Sequence, residues 1–348
     1  MNTEAIKRVI NVSGENVSDV IDSIIETIKS DRALRDKIYA SFWIDNFTPE
    51  ELAANNIVVN GSKDVSSGCW SFFGKSRTVV TGDAHVNMFG RGIAEIKSGT
   101  GHIYNTANCR AEGNSSVRAY DYTHMRLHMK AVGEYHDNAC GEVYGEADMT
   151  ATGNTIVRLT GKSTGLARGE SMITQTGKTF CKYSEGASGE LHGSATAEAW
   201  GRAGLKLKNE SSANLYDDAT AELFNDSRAV TSDRAMVIAK ECAYVVSRGR
   251  SAAQLYNNCR GEACENSIMT IHDNCFAVAG SSATLELYDK AQASVSGSVA
   301  VTLHGDNILN IDSDGIVYHV TRDAKGIVRN NATMELTLHG HSLKVIEK

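Results

Sequence analysis

The sequence predicts a mainly β fold: a single-chain β-solenoid, or β-roll, of octapeptide repeats with two octets to each coil and a small N-terminal α-helical domain. Three observations predict it. An eight-residue pattern runs unbroken through most of the chain, residue size alternates with a period of 16, and helical apolar spacing is confined to about the first 60 positions.

The helical region comes first. Ile6, Val9 and Ile10, and then Val17, Val20, Ile21, Ile24, Ile25 and Ile28, recur at helical intervals, with Gly14, Asn16 and Ser18 offering a break and a cap between the two runs. A third segment passes through Leu34, Ile38 and Phe42. Thr48 before Pro49, Glu50 and Glu51 is a helix start: a hydroxyl cap, a proline in the first turn, and acids at the positive end of the dipole. Residues 1–60 therefore read as a helical head, either a cap on the solenoid or a module for oligomerisation or partner docking.

The octets occupy residues 61–316. Counted from Cys109, 26 consecutive octets reach Ile316, and the first residue of every one is apolar or glycine. The third is apolar in 23, with Gln175, Thr231 and Ser247 as exceptions. The fifth is Gly, Asn or Asp in 20, and the seventh is Ala, Ser, Thr, Cys or Gly in 24. Apolar residues two apart share one face of a strand, so places one and three face inward and place two faces out. Place five, where a left-handed backbone is tolerated, is a corner. Place seven faces inward where space is short.

From Leu255 onward the third place runs Leu255, Ala263, Ile271, Ala279, Leu287, Val295, Leu303, so that residues 16 apart resemble each other more than residues eight apart. A coil with two sides explains this, because residue i then stacks on i+16 at the strand spacing of ~4.8 Å. The register extends back through Trp70, Thr78, Val86 and Ala94, with the segment from His102 one residue short. About 15 coils at ~4.8 Å would make a rod on the order of 70 Å long. In the tail, residues 317–348, the pattern loosens but alternation persists in TMELTLHGHSLKVIEK, which reads as capping strands.

Composition narrows the function. A net charge of −7 without a basic stripe argues against nucleic-acid binding, and the acidity falls short of a DNA mimic. The first 25 residues have no secretory pattern, and no apolar run reaches the roughly 18 residues of a membrane span. Eight cysteines without CxxC pairs suit free thiols in a reducing cytoplasm. Cys259 and Cys275, both on the inward seventh place, read as a stacked thiol pair, and Cys109 and Cys181 as core residues. Asn257, Asp273 and Asp289 share a corner where stacked side chains hydrogen-bond; the nonapeptide that binds calcium in repeat rolls is missing.

Two groups of outward residues stand out. Val230, Ile238 and Val246 hold the second place of three successive octets, and Met236, Tyr244, Ile268 and Phe276 hold the eighth, where much of the chain has Glu, Lys, Arg, Thr or Asn. A contiguous exposed apolar patch marks an interface, so these seven form a candidate contact site for a protein partner or a second copy. Tyr256, His272, Tyr288 and His304, with Tyr216 and Phe224 before them, share the fourth place and form a candidate aromatic stripe for sugars or partner side chains. Its plainer reading is a cover over the strand-to-corner junction. Glu190, Lys206 and Glu222, 16 apart, read as a salt-laced surface. No nucleophile, base and orienter arrangement is legible, so no catalytic residue, metal ligand or cofactor is assigned.

The octets VRAYDYTH, GEVYGEAD, ANLYDDAT and LELYDKAQ resemble the V-x-A-Y-x-N-A-T octapeptide arrays of phage and bacterial proteins. The resemblance runs over about 250 residues, from Trp70 to Ile316. It implies a β-solenoid and brings no catalytic residues with it. Phage tail spikes also use octapeptides, in a three-chain β-helix; the corner glycines and the 16-residue alternation here favour a single-chain roll. The expected function is a non-enzymatic structural or binding solenoid, cytoplasmic or in a virion, that engages a protein partner, including a host factor it inhibits, or assembles with itself. A glycan-binding surface adhesin is the alternative, and a polysaccharide-active enzyme a further one.

Overall fold

A computed structural model describes residues 16–311, 316–317, 324–330 and 343–347. The protein is mainly β, a parallel-sheet solenoid of about 16 turns with a few helices near the N-terminus. It divides into two compact units, Met1–Gly165 and Leu166–Lys348, and both are built on the same coil. Each octet supplies one short strand and one corner. Each strand pairs in parallel with the strand two octets away, as in Val117↔Gly133 and Met125↔Gly141 in the first unit and Leu255↔Ile271 and Ala263↔Ala279 in the second. Alternate octets therefore belong to two different sheets over a shared core.

All 25 fifth-place residues from Gly113 to Gly305 have a left-handed φ, between 55° and 95°. Met129, Glu185, Glu241, Glu265 and Ser281 adopt it despite their side chains. Hydrogen bonding explains the acids and amides at this place. A corner leaves its N–H without a strand partner, and the fifth-place side chain one coil further on accepts it. Asn105 N–H donates to Asp121 Oδ2 at 2.8 Å, Gly169 N–H to Glu185 Oε2 at 2.9 Å, Asn225 N–H to Glu241 Oε2 at 2.8 Å and Asn257 N–H to Asp273 Oδ2 at 2.7 Å.

The polar exceptions on the inward third place find hydrogen-bond partners inside the coil. Gln175 Oε1 accepts from the Tyr183 hydroxyl at 2.8 Å, and its Nε2 donates to Thr179 Oγ1 and the Thr196 carbonyl, both at 3.1 Å. Thr231 Oγ1 is hydrogen-bonded to Ser247 Oγ at 3.2 Å and to Ser251 Oγ at 2.8 Å, with a single proton to donate and so accepting from one of them. Tyr135 and Tyr183 interrupt the small-residue side of the coil, and each is admitted by a glycine six positions later: an added Cβ at Gly141 or Gly189 would run into the tyrosine ring.

The missing residue lies one octet earlier than the sequence suggests. Val86 pairs with Gly101 and Gly101 with Val117, so Gly101–Asn108 is a full octet and Ala94–Thr100 is the short one. Its corner turns at Gly99, with φ 87°, in one residue fewer. In the tail, Gly305–Ile311 pairs with Ala324–Asn330, which pairs with Leu343–Glu347, so stacking continues with longer coils.

The head comprises α1 (Val17–Ser30), α2 (Arg32–Arg35), α3 (Ala40–Asn46) and α4 (Pro49–Ala54). Ile6, Val9 and Ile10 fall outside the described residues. Asn16 caps α1, Asp31 caps α2, and Thr48 with Glu51 forms a reciprocal capping box on α4. The Leu34–Phe42 segment is two helices with a turn between them. Besides meeting the first strand, Ile57–Val59, through α3 and α4, the head packs along one corner of the solenoid. There Phe73, Phe89, Tyr104, Tyr120 and His136, one per coil, stack face to face at 4.8–4.9 Å. Trp43 lies 4.4 Å from the Phe73 ring, and Ile21, Ile24, Ile25 and Ile28 belong to the same apolar cluster as the first three rings.

Two arginines of the head, Arg35 and the more exposed Arg32 at 3.4 Å, pair with Asp121 of the corner. Arg35 is buried; its Nε and Nη2 donate to the two oxygens of buried Asp121, each at 2.9 Å, while Nη1 donates to the Ile28 and Lys29 carbonyls at 2.8 Å. Beneath the head, His85 and His102 stand 4.8 Å apart. Burial, then the neighbouring His85 and the Arg118 and Lys29 charges, hold His102 down at about 4, against a weaker opposing effect of Glu134; burial also lowers His85. An unfolded histidine takes its proton near pH 6.5, so the unfolded chain binds protons first and stability falls as pH drops from 6.5 towards 4. With screening of the partly exposed ring, His102 should contribute about 1–2 kcal/mol to this loss. Urea midpoints at pH 7 and 4.5 should differ accordingly, and His102→Asn should flatten the dependence.

Candidate functional site

The seven outward apolar residues do not form one patch. Consecutive octets lie on different sheets, so Val230, Tyr244, Val246 and Phe276 belong to one sheet and Met236, Ile238 and Ile268 to the other. Val246 is buried, and Val230, Ile238 and Tyr244 are half-buried, whereas Met236, Ile268 and Phe276 are exposed. Val278, beside Phe276, is a further exposed residue of the first face.

The second face carries a groove within the Leu166–Lys348 unit. Seven strands in parallel register present two outward rows. One runs Met172, Ser188, Gly204, Thr220, Met236, Ala252, Ile268, and the other Thr174, Glu190, Lys206, Glu222, Ile238, Gln254, Thr270. Gly204, Ser188 and Ala252 leave space between larger neighbours, and the resulting groove has a volume of about 810 Å³. Met172, Met236 and Ile268 along it are 54%, 57% and 48% exposed, which leaves about half of each apolar side chain free to be covered. Glu190 is held by Lys208 Nζ at 2.5 Å, and this hydrogen bond lowers its pKa. Sequence reasoning found Met236, Ile238 and Ile268 but missed Met172, four coils before Met236 and on the same row. A count of apolar residues at 16-residue steps would have found it.

The aromatic stripe also divides. Tyr256, His272, Tyr288 and His304 make a continuous stack, with ring centroids 4.6, 4.7 and 4.5 Å apart and planes within 11°. Phe224 lies on the same corner but is separated from the stack by Lys240, whose Nζ is 5.4 Å from its ring. Tyr216 is on the opposite corner and stacks on Trp200 at 5.5 Å. Because the rings stack on one another, their inner faces are taken and the side open to solvent is a row of rims. His272 and His304 are parted by the Tyr288 ring.

All eight cysteines are free; those at 109, 181, 259 and 275 are buried. Burial pushes the Cys181 thiol up to about 12 and raises Cys109 further. In the Cys259–Cys275 pair the hydrogen bond between the thiols lowers Cys259 and raises Cys275. Among the described residues no group of three His, Cys, Asp or Glu is placed to hold a metal ion, and no helix is long and apolar enough to cross a membrane. No family model, curated protein or solved structure matches the chain.

Proposed function

We propose that the protein is a non-enzymatic binding scaffold whose groove between Met172 and Ile268 seats a protein partner. The single observation that carries this reading is that the groove is a regular sheet surface along which the Met172, Met236 and Ile268 side chains each stand about half exposed. Such a surface gains by being covered, at about 25 cal/mol per Å² of apolar area removed from water. The resemblance of octets such as LELYDKAQ to phage and bacterial octapeptide arrays supports a scaffold of that origin, one that binds a host factor or assembles with itself. Eight free thiols fit a reducing cytoplasm. A glycan-binding adhesin would depend on the ring stack, whose inner faces are covered; sugars stack on faces, so a protein is the preferred ligand.

The test places a photo-cross-linking residue at Met236, in cells of a bacterial host, with the same residue at exposed Thr196 on the opposite sheet as control. A discrete cross-linked product is expected from position 236 alone, reduced at least tenfold by Ile238→Asp with Ile268→Asp. A product of twice the chain mass would identify self-assembly. Absence of any product, or equal labelling from both positions, would overturn the reading.

A further inference from the structure

We infer that the corner carrying Tyr256–Asn257, His272–Asp273 and Tyr288–Asp289 is a docking site for an arginine presented from the apolar face of a helix of another protein. This corner is separate from the groove. Its assignment rests on a repetition within the chain: three successive coils of the first unit carry Tyr104–Asn105, Tyr120–Asp121 and His136–Asp137, the same kinds of residue at the same two places of the octet.

The geometry repeats with the chemistry. In the first unit the three rings stack at 4.9 and 4.9 Å; in the second they stack at 4.6 and 4.7 Å. Beside the first stack, Asn105 N–H donates to Asp121 and Asp121 N–H to Asp137, at 2.8 and 3.3 Å. Beside the second, Asn257 N–H donates to Asp273 and Asp273 N–H to Asp289, at 2.7 and 3.4 Å.

What the first corner holds is on view. Its middle residue, Asp121, takes Arg35 as a two-pronged ion pair, with Arg32 Nε further out at 3.4 Å, and the Arg35 guanidinium carbon lies 4.7 Å from the Tyr104 centroid. Both faces of that ring are covered by Phe89 and Tyr120, so the guanidinium meets its rim. Isoleucines of α1 complete the cover. In the second corner Asp273 occupies the place of Asp121, and among the described residues no cation lies within ion-pair distance of Asp273 or Asp289. With His304 the rims extend over four rings, about as long as two and a half helical turns of ~5.4 Å each.

Charge and shape select the occupant. Carboxylates beside the rings repel phosphates, and the inner ring faces are closed to sugars, while an arginine can bridge carboxylate and ring rim as Arg35 does. The head of a second copy is a poorer candidate, because its Arg35 is already buried on its own Asp121.

The test uses the full chain and, as probe, a stapled peptide spanning Asn16–Lys37 of this sequence, with its helicity checked by circular dichroism. Fluorescence anisotropy is expected to show saturable one-to-one binding. Binding should weaken at least tenfold with Asp273→Asn, and by a similar factor when the peptide carries Arg35→Gln. Asparagine holds the same place at Asn257, so this variant keeps the corner intact. Asp217→Asn on the opposite corner should change nothing. A helical peptide that does not bind, or that binds Asp273→Asn undiminished because it displaces the head at Asp121, would overturn the inference. So would a chain that is dimeric by light scattering and becomes monomeric with Asp273→Asn, since the site would then belong to a second copy.

Discussion

Replacing Asp121 with alanine is expected to loosen the helical head and to destabilise the first unit by about 3–5 kcal/mol, the cost typical of leaving one charge of a buried pair without its partner. Arg35 and Asp121 are almost fully enclosed, and the carboxylate also receives the Asn105 N–H, so its loss leaves a guanidinium and a corner amide unsatisfied at once. Urea unfolding followed by tryptophan emission should show the change, since Trp43 lies against Phe73 in the same interface. Asp121→Asn should cost less, because an amide oxygen still accepts the corner N–H. Combined with Arg35→Met it should recover most of the loss, because replacing both partners removes the unpaired charge; recovery of none would mean that the pair itself, and not the stranded charge, dominates.

Gly141→Val is expected to destabilise the first unit by about 3 kcal/mol or more, at or above the upper end of ordinary overpacking. A Cβ at this position would overlap the Met125 carbonyl oxygen and stand 2.9 Å from Tyr135 Cε1. Neither neighbour can yield cheaply: the first is backbone in a paired strand, and the second is a buried ring whose hydroxyl donates to that same carbonyl at 3.1 Å. Gly204→Ala, on an outward place where the nearest neighbour of a new Cβ is Thr220 Oγ1 at 3.7 Å, should leave stability unchanged or raise it by about 0.4–1 kcal/mol through reduced freedom of the unfolded chain. Thermal melts of the two variants therefore separate inward from outward glycines that are alike in composition.

The inward and outward places, the corner and the 16-residue coil were all legible from residue types, because the inward places and the corner repeat the same surroundings from octet to octet. The candidate contact site was less so. Val230, Ile238 and Val246 look adjacent in successive octets, but the spatial neighbour of Val230 is Val246, and Ile238 lies on the other sheet. The docking of the head was hidden for two reasons. Arg35 and Asp121 are 86 positions apart, and the shortened octet brings Tyr104 one place closer to Phe89 than two full octets would, which conceals the ring stack from a search at whole-coil steps. Hydrogen bonding up the corner was legible from the 16-residue spacing of Asn257, Asp273 and Asp289; that its donor is the backbone N–H of the preceding coil is visible only in the folded chain.

The strict two-octet register has a consequence for how such a chain lengthens. A duplication of two octets inserts a coil and returns every later side chain to its own row, sheet and corner. A duplication of a single octet keeps the inward and outward places yet moves all later residues to the opposite sheet, setting large core residues on small ones at the insertion and dissolving any groove or ring stack that spans it. Growth by whole coils is thus the neutral step, while a half-coil is a change of surface and of core packing. The shortened octet Ala94–Thr100 marks the third kind of event: a loss that the corner at Gly99 absorbs, so that its neighbours keep their places.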